Sequence, residues 1–112
     1  MGHTMFLDIE TTGFSREWCS VLEIAAEIID DSGKVVDQFH RYIKPYGGVP
    51  AKITQLTGIT NAMVASEANE ITVLTDFLDF VYGNGVDRII GHNCKAFDLP
   101  FIAARLSRCN KT

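Results

Sequence analysis

One stretch of this chain says more about its fold and its chemistry than any other: Phe6-Leu7-Asp8-Ile9-Glu10-Thr11-Thr12-Gly13-Phe14. It begins as a short apolar strand, in which Asp8 and Glu10 occupy alternate positions and therefore point to one face. β-structure disfavours Asp, and two anions this close repel each other. A divalent cation would remove the conflict, because it supplies positive charge to both carboxylates. The Thr11–Gly13 segment then predicts a sharp turn where backbone can approach a ligand closely.

Length and composition set the class of protein. A chain of 112 residues, 46% apolar and 21% charged, predicts a single globular domain with a modest core. The net charge of −4 argues against a protein that coats nucleic acid non-specifically. Residues 95–112 are nevertheless basic, with Asp98 as their one acid and with Lys95, Arg105, Arg108 and Lys111 as their cations. Such an end could contact phosphate, although it is more often a solvated helix face.

The cysteines and the hydropathy pattern indicate a cytoplasmic protein. Cys19, Cys94 and Cys109 are an odd number without CxxC spacing, which argues against a disulfide framework or a zinc site and favours reduced thiols. No run of apolar residues is long enough for a membrane span, and the N-terminus lacks the basic-then-apolar pattern of a signal peptide. The sequence therefore predicts no membrane partner.

Periodicity and turn residues predict three strands in succession, then helices, a fourth strand and a last helix. The strands at Thr4–Ile9, Ser20–Ile29 and Val35–Ile43 should form an antiparallel meander, with a hairpin turn at Asp31–Lys34. This order predicts an α/β arrangement with a mixed sheet, whose last unit leaves an open edge. The short helices are predicted at 50–56, where Gly58 stops the helix, and at 60–64, where Thr60 is the N-cap. The other predicted elements are a helix at 68–82, a strand at 87–90, and a helix at 96–108 with Leu99, Ile102, Ala103 and Leu106 inward.

A second group of chemistry-bearing residues lies at 91–98, Gly-His-Asn-Cys-Lys-Ala-Phe-Asp. It follows a short strand and leads into a helix, and open α/β sheets bind their ligands at this end of their strands. Asp98 could therefore face Asp8 and Glu10, and three carboxylates around one point suit Mg²⁺ or Mn²⁺. Taken alone, Asp98 is more simply a helix N-cap before Leu99-Pro100, and His92 and Asn93 are more simply turn residues.

Both segments resemble known motifs. FLDIETTGF and GHNCKAFDLPFI are similar to the first and second exonuclease motifs of the DEDD superfamily, the DnaQ-like 3′→5′ exonucleases, which include proofreading subunits and domains of DNA polymerases. LTGIT at residues 56–60, followed by Asn-Ala-Met, also resembles that family. The second motif departs in one respect, because three residues separate Asn93 from Phe97 where many members have two.

The resemblance implies a ribonuclease H-like fold, a mixed β-sheet flanked by helices, with residues 1–112 as a single, C-terminally truncated exonuclease domain. It implies that Asp8, Glu10 and Asp98 are the catalytic residues and hold two divalent cations, Mg²⁺ or Mn²⁺. The implied substrate is a single-stranded DNA 3′ end, or RNA, and a DNA polymerase subunit is an implied partner. The implied substrate-binding residues are Thr11, Thr12, Gly13, Phe14, Leu56, His92, Asn93 and Phe97.

The family's third motif supplies a His that acts as general base, and then an Asp that binds metal. Residues 99–112 contain no His, Asp or Glu, and His3, His40 and His92 lie in other contexts. Since a positioned base contributes about 10²–10⁴-fold in rate, the chain alone should be nearly inactive. Two alternatives remain open. One is a non-enzymatic module that binds nucleotides or nucleic-acid ends, or docks on a polymerase; the other is an inactive fragment that self-associates through its open sheet edge.

Overall fold

The computed structural model describes residues 2–15, 19–91 and 97–109, the last two of these by their backbone alone. The predicted elements are confirmed with small shifts of their ends, while the predicted start of the last helix at Ala96 lies outside the described residues. The elements are β1 His3–Thr11, β2 Val21–Ile29, β3 Val35–Tyr42, α1 Ala51–Thr57, α2 Asn61–Val64, α3 Glu70–Gly83, β4 Val86–Ile90 and α4 Leu99–Cys109.

The four strands form one mixed sheet in the order β3-β2-β1-β4. β1, β2 and β3 form the predicted antiparallel meander, and β4 lies parallel to β1, with Phe6 beside Ile90. The carboxyl ends of the parallel strands β1 and β4 therefore lie at the same end of the sheet, which is where open α/β sheets place their sites. The β2–β3 hairpin closes where the Asp30 N–H donates to the Lys34 carbonyl, 3.0 Å, and Gly33 takes a φ of 85° that suits glycine.

One face of β1 is core and the opposite face carries the carboxylates. Met5, Leu7 and Ile9 are buried against α3 and α4, whereas Phe6 is 42% exposed. This alternation confirms that Asp8 and Glu10 point to one side of the strand, because strand side chains alternate between faces. Packing of the apolar face holds the strand in the sheet, so the carboxylates on the opposite face need not contribute to the core.

The buried stripe of α4 differs from the predicted one. Phe101, Ile102 and Arg105 are buried, while Ala103 is exposed, so the prediction that Ala103 points inward is wrong. The helix is rotated by about one residue relative to the predicted stripe, because Arg105, which looks polar, is buried as an ion pair with Glu70. Arg105 is therefore not part of a solvated or phosphate-binding face, while Lys95, Lys111 and the side chain of Arg108 lie outside what the structure describes.

A smaller cluster fixes the segment between β3 and α3. Leu22, Val49, Ile59 and Val64 pack together, so α1 and α2 are held beside the start of β2. The predicted stop of α1 is confirmed at Gly58, which has a φ of 81°, and the predicted N-cap is confirmed at Thr60, whose hydroxyl accepts from the Met63 N–H. Over the described ranges, every helix is too short or too polar to cross a membrane.

Candidate active site

Three carboxylates from the two motifs lie near the end of β1, with Asp8 and Asp98 within electrostatic range of Glu10. Asp8 is exposed and Glu10 is half-buried on the same strand face, while Asp98 is buried directly before α4. Burial raises the pKa of the Glu10 carboxyl, and the negative charges of Asp8, Glu23 and Asp98 raise it further. Because Asp98 acts on Glu10 electrostatically, the fold brings the two motifs to one place, as the sequence predicts.

A fourth carboxylate, Glu23, was missed by the sequence reasoning. It lies opposite Glu10 in the β1–β2 register, and its Oε2 is 2.5 Å from His40 Nε2. The carboxylate of Glu23 is therefore hydrogen-bonded to the His40 ring next to the site. Only the strand register reveals this neighbour, because Glu23 reads along the sequence as an ordinary polar position in β2.

The donor set suits a hard divalent cation. Carboxylate oxygens are the ligands that Mg²⁺ and Mn²⁺ prefer, and a cation would relieve the repulsion that raises the Glu10 pKa. Among the residues that the structure describes, no three His, Cys, Asp or Glu side chains stand close enough to hold an ion as they are. Asp8, Glu10 and Asp98 would thus have to draw together around a bound cation.

The turn after β1 is held by its own hydroxyls and by the start of β2. The Thr11 Oγ1–H donates to the Gly13 carbonyl, 2.6 Å, and the Ser20 N–H donates to Thr12 Oγ1, 2.9 Å. Gly13 does not take a left-handed conformation. Glycine is favoured at this position because of a close neighbour instead: a Cβ on residue 13 would lie 2.7 Å from Cys19 Sγ.

A cavity of about 490 Å³ opens between this turn, α1 and the start of α4. Phe14 and Leu56 are exposed at its rim, 91% and 72%, and Phe97 packs edge-on against Phe14 with ring centroids 6.2 Å apart. Lys52, which the sequence reasoning did not single out, adds a cation to the lining. The lining residues are Ile9, Glu10, Thr11, Thr12, Gly13, Phe14, Pro50, Lys52, Ile53, Leu56, Thr57 and Phe97.

Six of the predicted substrate-binding residues therefore share one cavity, which also reaches Glu10. They are Thr11, Thr12, Gly13, Phe14, Leu56 and Phe97. The other two predicted residues, His92 and Asn93, lie outside the described residues. A second, open cavity of about 420 Å³ lies on the uncovered sheet face, where Asp8 and His40 both contribute to its lining.

The model of the RNase T family, described as an exonuclease, matches residues 5–112. The chain belongs to this exonuclease family. One relative of this RNase T family chain is a DNA polymerase III PolC-type protein of Clostridium perfringens, 43% identical over 94% of the chain and 7% of that protein. Another is a DNA polymerase III subunit epsilon of Aquifex aeolicus, 35% identical over 90% of the chain and 48% of the subunit. The chain thus spans about half or less of the length of these curated relatives.

Solved structures share the fold of this RNase T family chain. E. coli Exonuclease I in complex with a dT13 oligonucleotide matches 95% of the chain with a TM-score of 0.77 and 21% identity, over 23% of Exonuclease I. The nuclease domain of 3′hExo, a DEDDh family member bound to rAMP, matches 95% of the chain with a TM-score of 0.72 and 19% identity, over 60% of that domain. These likenesses confirm the predicted ribonuclease H-like α/β fold.

Proposed function

We propose that residues 1–112 form an exonuclease domain that hydrolyses phosphodiester bonds at nucleic-acid 3′ ends with the help of divalent cations. The observation that carries the proposal is the cavity that joins the Thr11–Phe14 turn to Glu10, with Asp98 close enough to raise the Glu10 pKa. Family membership supports the reaction class. Relatives named as DNA polymerase III proteins favour DNA over RNA, a polymerase subunit as partner, and the cytoplasm as the location.

Asp8, Glu10 and Asp98 would hold the two cations, Mg²⁺ or Mn²⁺. When bound, such cations activate a water for attack on the phosphorus and stabilise the leaving 3′ oxygen. The carboxylates contribute ligand oxygens and a negative charge that only a cation can balance. An acidic chain can then bind a polyanion at this point, because the bound ions invert the local charge.

The cavity would take the terminal nucleotide. Phe14, Leu56 and Phe97 offer apolar and aromatic surface on which a base can stack, and such stacking does not depend on base identity. Thr11 and Thr12 line the same cavity as Glu10, where the sugar and its 3′ end would sit. Lys52 lies on the same wall, and its ammonium group is suited to a backbone phosphate. His92 and Asn93 remain predicted members of this site.

Activity of this chain alone is expected to be weak. Residues 99–112 contain no His, Asp or Glu, so this segment supplies no candidate for the family's general base. A second candidate function is a module that binds nucleotides or 3′ ends, or docks on a polymerase, without hydrolysis, because the cavity with its exposed Phe14 and Leu56 would serve binding alone equally well. Self-association is a further candidate, because β4, the last strand, is an edge of the described sheet and exposes Ile90.

The deciding experiment follows loss of label from a single-stranded oligonucleotide labelled at its 3′ end, in Mn²⁺. The parent is compared with Asp8→Ala and with a control variant, Asp31→Ala, which removes an exposed carboxylate from the β2–β3 turn. Loss of the 3′ label in the parent and the control, but not in Asp8→Ala, would support the nuclease.

A binding module would show no loss but would still be stabilised against heat by Mn²⁺ and a mononucleotide. No loss and no stabilisation would contradict both functions. A single-stranded RNA of the same sequence, run in parallel, distinguishes the two substrates, and light scattering over a concentration series tests the sheet edge.

A further inference from the structure

A buried ion pair joins α3 to α4 behind the candidate active site. Arg105 Nη2 donates to Glu70 Oε1 at 2.8 Å, and Arg105 Nε donates to the same oxygen at 3.0 Å. Both side chains are 9% exposed. The two contacts from a planar guanidinium fix the orientation of α4 as well as its distance from α3.

The same carboxylate also holds the start of β2. The Val21 N–H donates to Glu70 Oε2 at 2.8 Å. The preceding residue, Ser20, is tied to the turn after β1, because the Thr12 N–H donates to the Ser20 carbonyl and the Ser20 N–H donates to Thr12 Oγ1, both at 2.9 Å. Continuous contacts therefore lead from Glu70 to the turn that lines the nucleotide cavity.

On the other side, Arg105 is coupled to the second motif. Asp98 and Arg105 are both buried and are separated by seven positions, which in helical geometry is about two turns, roughly 10 Å along one face. Phe101 lies between them on this face and packs against Phe97, with ring centroids 5.3 Å apart. Any rotation of α4 about its axis would therefore move Asp98 and Phe97 together.

We propose that Glu70 and Arg105 are positioning residues, which set the distance and orientation between the two halves of the site. One half is the end of β1 with the Thr11–Phe14 turn, and the other is Asp98 with Phe97. This inference rests on the proposed function for its metal and nucleotide ligands. Burying two charges is a poor way to gain stability, because the loss of hydration offsets most of their attraction. A pair that fixes one orientation of α4 gives a reason for this burial.

The test compares the parent with two changes to the pair. The double variant Glu70→Gln with Arg105→Met keeps an acceptor for the Val21 N–H and removes both charges, while Arg105→Lys keeps the charge but loses the planar fork. The matched control is Arg41→Met with Asp76→Asn, which removes an ion pair at 3.2 Å that joins β3 to α3 on the surface.

Three quantities are measured on the full chain. They are the thermal midpoint without metal, the Mn²⁺ dissociation constant from electron paramagnetic resonance, and the nuclear Overhauser contacts between the Phe14 and Phe97 rings without metal. The positioning role predicts that the double variant still unfolds cooperatively, loses the ring contacts, and binds Mn²⁺ about tenfold more weakly, as is typical when groups supporting the ligands are lost. The ring contacts and the Mn²⁺ affinity of Arg105→Lys should lie between those of the double variant and the parent, and those of the control should match the parent.

Parent-like ring contacts and Mn²⁺ affinity in a folded double variant would overturn the proposal and leave the pair a purely structural role. If the double variant does not fold, Arg105→Lys decides, and a parent-like result there overturns the proposal equally. If the parent binds no Mn²⁺, the proposed function fails by itself. The ring contacts of the metal-free chain then still decide whether Glu70 and Arg105 position the two halves.

Discussion

Replacing Gly13 by Ala should destabilise the chain through a single contact, and a second substitution should relieve it. The added Cβ would lie 2.7 Å from Cys19 Sγ, whereas Cys19 Cβ lies at an acceptable 3.8 Å. Non-bonded carbon atoms prefer about 3.5–4.0 Å, so the turn or the thiol would have to move by roughly 1 Å. The Cys19 N–H donates to the Ser15 carbonyl at 2.7 Å, which restrains the backbone from giving way.

The expected loss for Gly13→Ala is about 1–3 kcal/mol, the usual cost of overpacking. Cys19→Ala removes the sulfur from a half-buried site and should cost about 1 kcal/mol or less. In the double variant the clash is gone, so the cycle should show a favourable coupling of about 1–2 kcal/mol. For a domain near this size that corresponds to a recovery of roughly 4–8 °C in midpoint per kcal/mol.

The assay is equilibrium unfolding in urea, without metal, of the parent, both single variants and the double variant. Gly47→Ala is the matched control, since nothing lies within 4 Å of its Cβ position and its φ is not left-handed, so its stability should be unchanged or slightly raised. If the two single losses simply add, to within about 0.5 kcal/mol, Cys19 is not the reason for glycine at this position. A fluorescent mononucleotide should also bind Gly13→Ala more weakly than the double variant, because the same displacement distorts the cavity wall.

Three further predictions concern the site and the core. Because the folded state raises the pKa of Glu10, it holds that proton more tightly than the unfolded chain, so this contribution to stability is present below the ordinary value of 4.5 and is lost as pH rises through the raised pKa. Glu10→Gln should therefore stabilise the metal-free chain at pH 8 and barely at pH 4 in urea titrations, and an equal gain at both values would contradict this origin. Lys52→Gln should weaken mononucleotide binding and reduce its salt dependence while leaving the thermal midpoint unchanged, and an unchanged binding isotherm would remove Lys52 from the substrate site. Phe101→Ala should cost about 3–5 kcal/mol in the same urea assay, whereas Ala103→Ser on the exposed face of α4 should cost little; equal losses would contradict the orientation of that helix.

The sequence predicts best where local pattern and tertiary packing agree. The alternation in β1 predicts both its buried and its acidic face, and Gly58 and Thr60 mark helix ends that the structure confirms. It predicts poorly where a distant partner decides. Arg105 looks like a surface cation until Glu70 is placed beside it. The sequence therefore predicts Ala103 on the inward face of α4, whereas the structure exposes Ala103 and buries Arg105.

The candidate site follows the same division. The residues of each motif can be read along the chain, but their neighbours depend on strand register and helix placement. Glu23 lies next to Glu10 only because β1 and β2 pair in this register, and Lys52 reaches the cavity only because a small apolar cluster holds α1 beside the turn. The roles of His92 and Asn93 stay predictions, since both lie outside the described residues.

The placement of charge indicates how the fold tolerates a site that opposes its own stability. Asp8 and Glu10 repel each other on one face of β1, while Met5 and Leu7 on the other face bury the apolar surface that keeps the strand in place. The buried apolar face of β1 thus offsets the repulsion between the carboxylates on its opposite face. A cation that binds the folded chain and not the unfolded one would add stability that grows with the logarithm of its concentration over its dissociation constant, about 2.7 kcal/mol at a hundred times that constant. Under the proposed function, metal affinity and fold stability would be linked through the same two carboxylates, and a change that removes either one to relieve the repulsion would give up the ion as well.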